Sequence, residues 1–250
     1  MILITNDDGI LAPGLAALHK ELVKLDQCVV VAPDAERSAA GHAITMANPL
    51  RAVKVKRGGL FFGYACSGTP ADCVKMAFSA RLVHQPRLVV SGINLGANVG
   101  TNILYSGTVS AATEAAMLGF PAMAVSLNTF KDPDFRTAAV WARRLAVQIL
   151  DRGLPKNMLL NVNVPALSAA RIKGVRVTRQ GVFRFEDRLV KRMDPHGREY
   201  YWLAASKGIF SQSPDCDDRA VRQGYVSVTP VDFDMTANHF LEELKSWKIE

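Results

Sequence analysis

The sequence predicts an α/β fold in which a mostly parallel β-sheet is flanked by helices on both faces. Through the first two-thirds of the chain, short and almost continuously apolar segments alternate with segments that repeat apolar residues at helical spacing. Strands buried on both faces have this apolar character, and the alternation of strands with helices is typical of a parallel sheet. The predicted architecture is therefore Rossmann-like.

The individual elements follow from apolar spacing and from helix-capping residues. Pro13 and Pro70 each stand where a helix is predicted to begin, and Thr69 is a suitable N-cap for the second of these helices. Strands are predicted at residues 2–5, 28–32, 50–56, 60–66, 87–90, 121–126 and 158–162, with a loop at residues 91–107. Helices are predicted at residues 13–25, 70–82, 109–118 and 135–150.

The pattern changes after about residue 173, where short strand-like pieces are separated by polar segments with glycine and proline. These pieces lie at residues 175–178, 200–204 and 225–229, and a closing helix is predicted at residues 240–247. With no clear boundary in the sequence, we expect one domain over residues 1–250. Its core would be residues 1–173, and residues 174–250 would carry a β-hairpin arm and the closing helix for oligomerisation.

Composition and charge narrow the class of protein. Hydrophobic residues make up 49% and charged residues 21% of the 250 residues, as in ordinary globular proteins. No segment approaches the roughly 20 consecutive apolar residues of a membrane span, and the N-terminal residues lack a signal-peptide pattern, so we expect a cytoplasmic protein. The four cysteines form no Cys-x-x-Cys motif, and buried free thiols are expected. The net charge of +7 favours acidic partners such as phosphorylated small molecules or nucleic acid.

An acid pair, Asp7 and Asp8, directly follows the first predicted strand. Ligands of open α/β sheets bind at the carboxyl ends of the strands. Two adjacent carboxylates repel each other there unless a positive charge lies beside them, and a hard divalent cation with oxygen ligands supplies that charge. The pair therefore indicates either a metal site or a solvated acidic turn.

Three further loops with suitable chemistry follow later strands. The loop at residues 33–42 offers hydroxyl, carboxylate, guanidinium and imidazole groups, and the loop at residues 91–100 combines three glycines with two asparagines. Residues 105–114 lead from small hydroxylated side chains into an alanine-rich helix. The free N–H groups at the start of such a helix suit a phosphate, although an ordinary N-cap by Ser106 or Thr108 explains the same pattern.

Taken together, these loops resemble the SurE survival-protein family of metal-dependent nucleotidases. The resemblance rests on residues 5–10 (TNDDGI), 91–98 (SGINLGAN) and 105–114 (YSGTVSAATE), with residues 32–38 and 67–72 in support. It implies that one Mg²⁺ or Mn²⁺ is bound by Asp7, Asp8, Ser38 and Asn94. It also implies that the phosphate is held by Asn98, Ser106, Gly107 and Thr108.

The resemblance further implies a function and an assembly. The family removes phosphate from nucleoside 5′- and 3′-monophosphates, and some members trim short polyphosphate. Its members are cytoplasmic homodimers or homotetramers that exchange C-terminal segments. The resemblance weakens near the C-terminus, so we assign no role to Asp232, Asp234 or His239.

The expected mechanism is metal-assisted attack by water on the phosphorus atom. Asp8 is the candidate general base, and Asn98 with the first amides of the helix would stabilise the charge on the phosphoryl oxygens. An adjacent aspartate could instead attack the phosphorus directly, and this alternative remains open at the level of the sequence.

A receiver-like, non-catalytic Mg²⁺-binding protein is the main alternative, since receivers also carry an acid pair after the first strand. A receiver needs an aspartate after the third parallel strand, where this chain has Ser91, and a later lysine, where it has Ser126. A dinucleotide-binding oxidoreductase would need glycines in place of the acid pair. A dehalogenase-type phosphatase would need Asp-x-Asp.

A non-catalytic nucleic-acid-binding protein also fits the charge. The basic residues are densest at residues 171–198, which we interpret rather as a solvated hairpin or a subunit contact. Nucleic acid is therefore an unlikely partner.

Overall fold

The computed structural model describes residues 1–247, apart from the side chains at positions 185, 187 and 205–207. Its strands are β1 (Ile2–Thr5), β2 (Cys28–Pro33), β3 (Ala52–Arg57), β4 (Leu60–Cys66), β5 (Leu88–Leu95), β6 (Ala122–Asn128), β7 (Met158–Pro165), β8 (Val175–Val177), β9 (Arg184–Met193), β10 (Glu199–Ile209) and β11 (Val226–Asp232). Its helices are α1 (Pro13–Leu22), α2 (Pro70–Ser79), α3 (Gly107–Met117), α4 (Arg136–Arg152), α5 (Asp217–Arg222) and α6 (Leu241–Lys245).

Nine of these strands form one sheet in the order β3-β4-β2-β1-β5-β6-β7-β11-β8. The pairs from β4 through β7 are all parallel, whereas β3 is antiparallel to β4 and β11 is antiparallel to β7. The predicted mostly parallel α/β sheet is therefore confirmed. The C-terminal strands β11 and β8 complete one side of this sheet.

Helices cover both faces of the sheet, and alternate residues of β1 point to opposite faces. Ile2 and Ile4 pack in the cluster that contains the buried residues of α1 and α4. Leu3 packs in the cluster that contains the buried residues of α2 and α3. All three side chains are fully buried, so the segment before the acid pair is fixed on both sides.

The main differences from the predicted elements concern β5, β9, α5 and α6. β5 continues to Leu95, where a loop was expected from residue 91, because residues after Ser91 still pair with β6 beyond a register shift between Gly92 and Asn94. The charged strand β9 and the short helix α5 were not predicted. The closing helix α6 is shorter than expected and follows a 3₁₀ turn at Asn238–Phe240.

The predicted hairpin arm is present as a separate two-stranded antiparallel sheet of β9 and β10. Its described side chains leave Leu189, Trp202 and Leu203 largely exposed. All four cysteines carry free thiols, and three of them are buried. Among residues 1–247, no helix combines the length and apolar character needed to cross a bilayer.

Candidate metal and phosphate site

The site lies where the strand order of the sheet reverses. From β1 the chain moves to β2 on one side, whereas β5 pairs with β1 on the other side, with Thr5 opposite Ser91. In open α/β sheets, ligands bind in the crevice outside the carboxyl ends of the strands at such a switch point. Asp7 follows β1, and Asn94 lies near the end of β5, so both belong to this crevice.

Asp7 is almost completely buried, with 4% of its surface exposed. The Thr108 hydroxyl donates to Asp7 Oδ1 at 2.5 Å, and the Asp7 carbonyl accepts from the Arg37 amide at 2.8 Å. Burial raises the pKa of Asp7, and hydrogen bonds from the side chain and backbone of Thr108 offset that rise only in part. The carboxylate is thus firmly oriented, but its charge is poorly compensated.

Asp8 is half-buried and carries the second charge of the pair. Burial, and then repulsion from Asp7, raise the pKa of Asp8 to about 6, while the Leu95 backbone amide acts in the opposite direction. Among the ion pairs of residues 1–247, none includes Asp7 or Asp8. Two neighbouring carboxylates without a cationic partner fit a site for a divalent cation.

Neutral oxygen atoms complete the ligand set that the sequence predicts. Asp7, Ser38 and Asn94 line one open cleft of about 320 Å³, here named the acid cleft. The Asn94 side-chain amide donates to the Gly96 carbonyl at 2.7 Å, which fixes the orientation of this side chain, and the Ser38 hydroxyl donates to Glu36 at 2.6 Å. Within the described part of the chain, no three or more His, Cys, Asp or Glu side chains are grouped so that they could hold a metal ion by themselves. A donor set of carboxylate, amide and hydroxyl oxygens suits Mg²⁺ or Mn²⁺ better than zinc.

The N-terminus of α3 meets Asp7 directly. Ser106 is the N-cap, and its hydroxyl accepts from the Val109 amide at 3.1 Å. Gly107 is so close to Asp7 that an added Cβ would lie 2.8 Å from Asp7 Cβ, so only glycine fits at this position. The first N–H groups of a helix have no intrahelical partner and favour an anion. The structure therefore places a helix N-terminus with free N–H groups beside the acid pair.

Asn98 lines the acid cleft, and side chains of two other strands hold it there. The Asn161 and Asn163 side-chain amides donate to the Asn98 carbonyl at 2.8 and 3.0 Å, and Asn163 Oδ1 accepts from the Asn98 amide at 2.8 Å. The Asn98 side chain donates to the Ser126 hydroxyl at 2.9 Å. Asn161 and Asn163 were not predicted as residues of the site. The sequence pattern that could have indicated them is a pair of asparagines at alternate positions of an apolar strand, because both side chains then lie on one face of the sheet.

The loop that carries Ser38 is attached to two helices of the core. His42 forms a 2.9 Å contact with the buried carboxylate of Glu114 on α3. The Thr45 hydroxyl donates to Asp72 on α2 at 2.6 Å, and the Thr45 amide donates to the same carboxylate. These contacts fix the far end of the loop, so Ser38 lies in a segment held at both ends.

Five of the predicted site residues line the acid cleft: Asp7, Ser38, Asn94, Asn98 and Ser106. Asp8, Gly107 and Thr108 adjoin Asp7 through the chain or by the contacts described above. Thr108 is fully buried, and its hydroxyl is occupied by Asp7. Asp232, Asp234 and His239 are exposed, and none of them lines the acid cleft.

These features define a Rossmann-like protein with two neighbouring aspartates beside the N-terminus of a helix at the carboxyl edge of its sheet. The family model described as "Survival protein SurE" matches residues 2–187. The 5′-nucleotidase SurE of Syntrophobacter fumaroxidans is 48% identical over 248 residues, with 99% of each chain covered. The 5′-nucleotidase SurE of Desulfatibacillum aliphaticivorans is 50% identical over 249 residues, covering 100% of this chain and 98% of that protein.

A solved structure shows the same likeness in three dimensions. The crystal structure of the SurE protein from Aquifex aeolicus has a TM-score of 0.84 and 39% sequence identity, with 98% of each chain covered. The chain belongs to the SurE family, as its sequence motifs predict.

Proposed function

We propose that this protein is a divalent-metal-dependent phosphomonoesterase that hydrolyses nucleoside 5′-monophosphates to nucleoside and phosphate. The observation that carries the proposal is the acid pair with uncompensated charge beside the N-terminus of α3. Relatives that are about half identical over their whole length are named 5′-nucleotidase SurE. The proposal extends to nucleoside 3′-monophosphates and short polyphosphate, which carry the same phosphoryl group.

Asp7, Asp8, Ser38 and Asn94 would hold one Mg²⁺ or Mn²⁺. A bound cation would supply charge neutralisation and Lewis-acid polarisation of the phosphoryl group. The raised pKa values of Asp7 and Asp8 support this ligand set, because burial leaves both charges poorly compensated and a bound cation would compensate them.

The phosphate would lie between Asn98 and the start of α3. The Asn98 side-chain amide has one N–H group beyond the one given to Ser126, and the Gly107 amide is at the first position of the helix. Ser106 lines the cleft between them. Thr108 contributes by orienting Asp7, and its helical position adds to the favourable potential for an anion.

Asp8 would serve as the general base. Water attacks the phosphorus atom in line as the bond to the nucleoside oxygen breaks, and the proton of the water passes to the Asp8 carboxylate. In the metal-free protein the pKa of Asp8 is raised to about 6, so this carboxylate is mostly deprotonated at neutral pH and can accept a proton. Direct attack by an aspartate would instead leave a phosphoenzyme, which acid quenching of a turnover reaction would detect.

We also propose a homodimer or homotetramer in the cytoplasm, assembled through the β9–β10 hairpin. The hairpin extends as its own sheet and exposes Leu189, Trp202 and Leu203. Large apolar side chains grouped on a protruding element mark an interaction surface.

The test is phosphate release from a panel of nucleoside 5′- and 3′-monophosphates and a short polyphosphate. Each substrate is measured with EDTA, with Mg²⁺ and with Mn²⁺. We expect release only with a metal, and fastest from the 5′-monophosphates. Absence of release from every phosphate ester with either metal would refute the proposal. Salt-sensitive binding of nucleic acid that survives Asp7→Asn would then favour a binding protein.

A further inference from the structure

A buried carboxylate on α3 joins this helix to the loop that carries Ser38. Glu114 is 2% exposed. Lys75 Nζ on α2 lies 2.7 Å from its Oε1, and His42 Nε2 in the loop lies 2.9 Å from its Oε2. Burial raises the pKa of Glu114, but the hydrogen bonds from His42 and Lys75 outweigh burial and hold this pKa below its usual value. The His42 contact is therefore a charge-assisted hydrogen bond to an ionised carboxylate.

Glu114 keeps its ion pair with Lys75 whether or not His42 is present. Removal of one partner of a buried ion pair is strongly destabilising when it leaves an uncompensated charge, but here the ammonium group remains. The His42 side chain, by contrast, is 33% exposed and belongs to the loop. Loss of the imidazole therefore releases the loop without leaving an unpaired charge in the core.

The loop is fixed on either side of its exposed part. The Arg37 amide donates to the Asp7 carbonyl at 2.8 Å. The Thr69 hydroxyl, at the start of α2, donates to the Ala43 carbonyl at 2.7 Å. Residues 38–42 lie between these two points, so their conformation depends on the contacts that they make themselves.

The contacts of residues 38–42 are few. In the part of the chain that the structure describes, two hydrogen bonds join these residues to groups outside the loop. The Gly41 amide donates to the Tyr105 carbonyl at 3.1 Å, and the His42 ring makes the other contact. Tyr105 is 65% exposed, so water competes for the first hydrogen bond, whereas the second ends on the buried carboxylate. The contact between His42 and Glu114 is therefore the stronger constraint.

The backbone beside Ser38 needs such a constraint. Ala39 has a φ of +57°, in the left-handed region, which costs free energy for a residue with a Cβ atom. Conformations of this kind persist only where surrounding contacts impose them. Without the His42 contact, residues 38–42 relax, and the Ser38 hydroxyl leaves its position in the wall of the acid cleft.

We propose that His42 and Glu114 are positioning residues for the metal site, because their contact holds the strained backbone at Ala39 and so presents Ser38 to the cation. This inference rests on the proposed metal-dependent function. When the contact is lost, only the fraction of molecules with the strained loop binds the cation at full affinity. The cost of a left-handed residue corresponds to about a tenfold change in that fraction.

The experiment measures Mn²⁺ binding to the full-length protein without substrate, by electron paramagnetic resonance of the unbound ion. His42→Ala should weaken Mn²⁺ binding about tenfold, and His42→Gln, whose amide can still donate to Glu114, should recover most of the affinity. The Tm of His42→Ala should stay close to that of the wild type, since Lys75 keeps the buried charge paired. At saturating Mn²⁺, kcat should remain within about twofold of the wild-type value, because the bound cation then holds the loop.

A second variant shows whether His42 acts through Ser38. Ser38→Ala should itself weaken Mn²⁺ binding, and His42→Ala added to it should have no further effect. Effects of the two substitutions that multiply would assign His42 a structural role only and overturn the inference.

Two control variants test the specificity of the effect. Lys75→Met removes the other partner of the same carboxylate but does not touch the loop. It should lower the Tm and leave Mn²⁺ affinity within about twofold of the wild-type value. His84→Ala removes an imidazole at an exposed position and should change neither quantity. Equal losses of Mn²⁺ affinity in Lys75→Met and His42→Ala would overturn the inference.

The outcomes for the inference and for the proposed function are distinct. Equal Mn²⁺ affinity of the wild type and His42→Ala overturns the inference and leaves the proposed function standing. Weaker Mn²⁺ binding by His42→Ala, without phosphate release by either protein, supports the inference and refutes the hydrolase. Absence of Mn²⁺ binding by the wild-type protein refutes the metal site and the inference together.

Discussion

The chain contains two pairs of consecutive aspartates, and the surroundings of the two pairs differ. Asp7 and Asp8 follow the first strand of the sheet, whereas Asp217 and Asp218 begin the short helix α5. Asp217 is completely buried, more so than Asp7. Its carboxylate accepts three backbone N–H groups, from Gly100 at 2.9 Å, from Gly181 at 2.9 Å and from Asp218 at 2.8 Å.

The short hydrogen bond to the side chain of Asp7, by contrast, comes from the Thr108 hydroxyl, and the backbone amides that lower its pKa belong to Asp7 and Thr108 rather than to distant segments. Burial raises the pKa of both Asp7 and Asp217, so a raised pKa does not separate the two pairs. The donors do. Backbone N–H groups that fill a carboxylate make it a structural anchor, whereas a carboxylate with few donors and a charged neighbour retains the capacity to bind a cation.

The largest expected effect is on catalysis at the first pair. Asp7→Asn keeps an acceptor for Thr108 but removes the charge that would bind the metal, so phosphate release should fall about a thousandfold. Steady-state assays with saturating Mg²⁺ measure this change. Asp151→Asn makes the same chemical change at an exposed position of α4 and should leave the rate unaltered. Retention of wild-type activity by Asp7→Asn would contradict the assigned role.

The next effect is on stability at the second pair. Asp217→Ala leaves the buried amides of Gly100 and Gly181 without an acceptor, so the free energy of unfolding should fall by about 3 kcal/mol. Urea denaturation followed by circular dichroism gives the value. Asp7→Asn is the reference here, since neutralising a buried, poorly compensated charge should not destabilise the metal-free fold. Comparable losses in the free energy of unfolding for Asp217→Ala and Asp7→Asn would contradict the difference between the two pairs.

The smallest effect concerns pH. The pKa of Asp8 in the folded protein is raised to about 6, so the folded state binds protons more tightly than the unfolded state. Burial of the Asp8 charge, together with repulsion from Asp7, therefore destabilises the metal-free protein above pH 6, and this destabilisation is lost as the pH falls towards 4. The increase in Tm caused by Mg²⁺ should be larger at pH 7.5 than at pH 5.5, by about 2–4 °C.

Differential scanning fluorimetry at the two pH values provides that measurement. In the Asp8→Asn variant, the Mg²⁺-induced increase in Tm should differ less between pH 7.5 and pH 5.5, because the group that titrates near pH 6 is absent. An equal Mg²⁺ effect at both pH values in the wild-type protein would argue against cation binding by this pair.

The sequence predicted the parts of the fold that local patterns determine. The apolar runs of β1, β2 and β6, and the capping box at Thr69 and Asp72, correspond closely to the observed elements. The predicted end of β5 was wrong, because its last, polar residues are held in the strand by pairing with β6 rather than by their own strand propensity. β9 was missed for a similar reason, since its charged residues form a strand only by pairing with β10.

In the candidate site, too, local patterns predict some residues, whereas long-range contacts determine others. Residues in loops that directly follow strands could be predicted, because the carboxyl ends of parallel strands share one edge of the sheet. Asn161, Asn163 and Asp217 could not, since each acts on a loop far away in the sequence. Nothing local to these residues shows which amide or carbonyl group they contact.

The bond between Asp217 and the Gly100 amide spans 117 residues. A ribosome makes the chain from its N-terminus, so Asp7, Asp8 and the start of α3 emerge long before the Asp217 carboxylate that fixes the segment at Gly100. The strand β11, which pairs with β7, emerges later still. A nascent chain therefore carries every side chain of the candidate site well before the Asp217 carboxylate is available to fix the segment at Gly100.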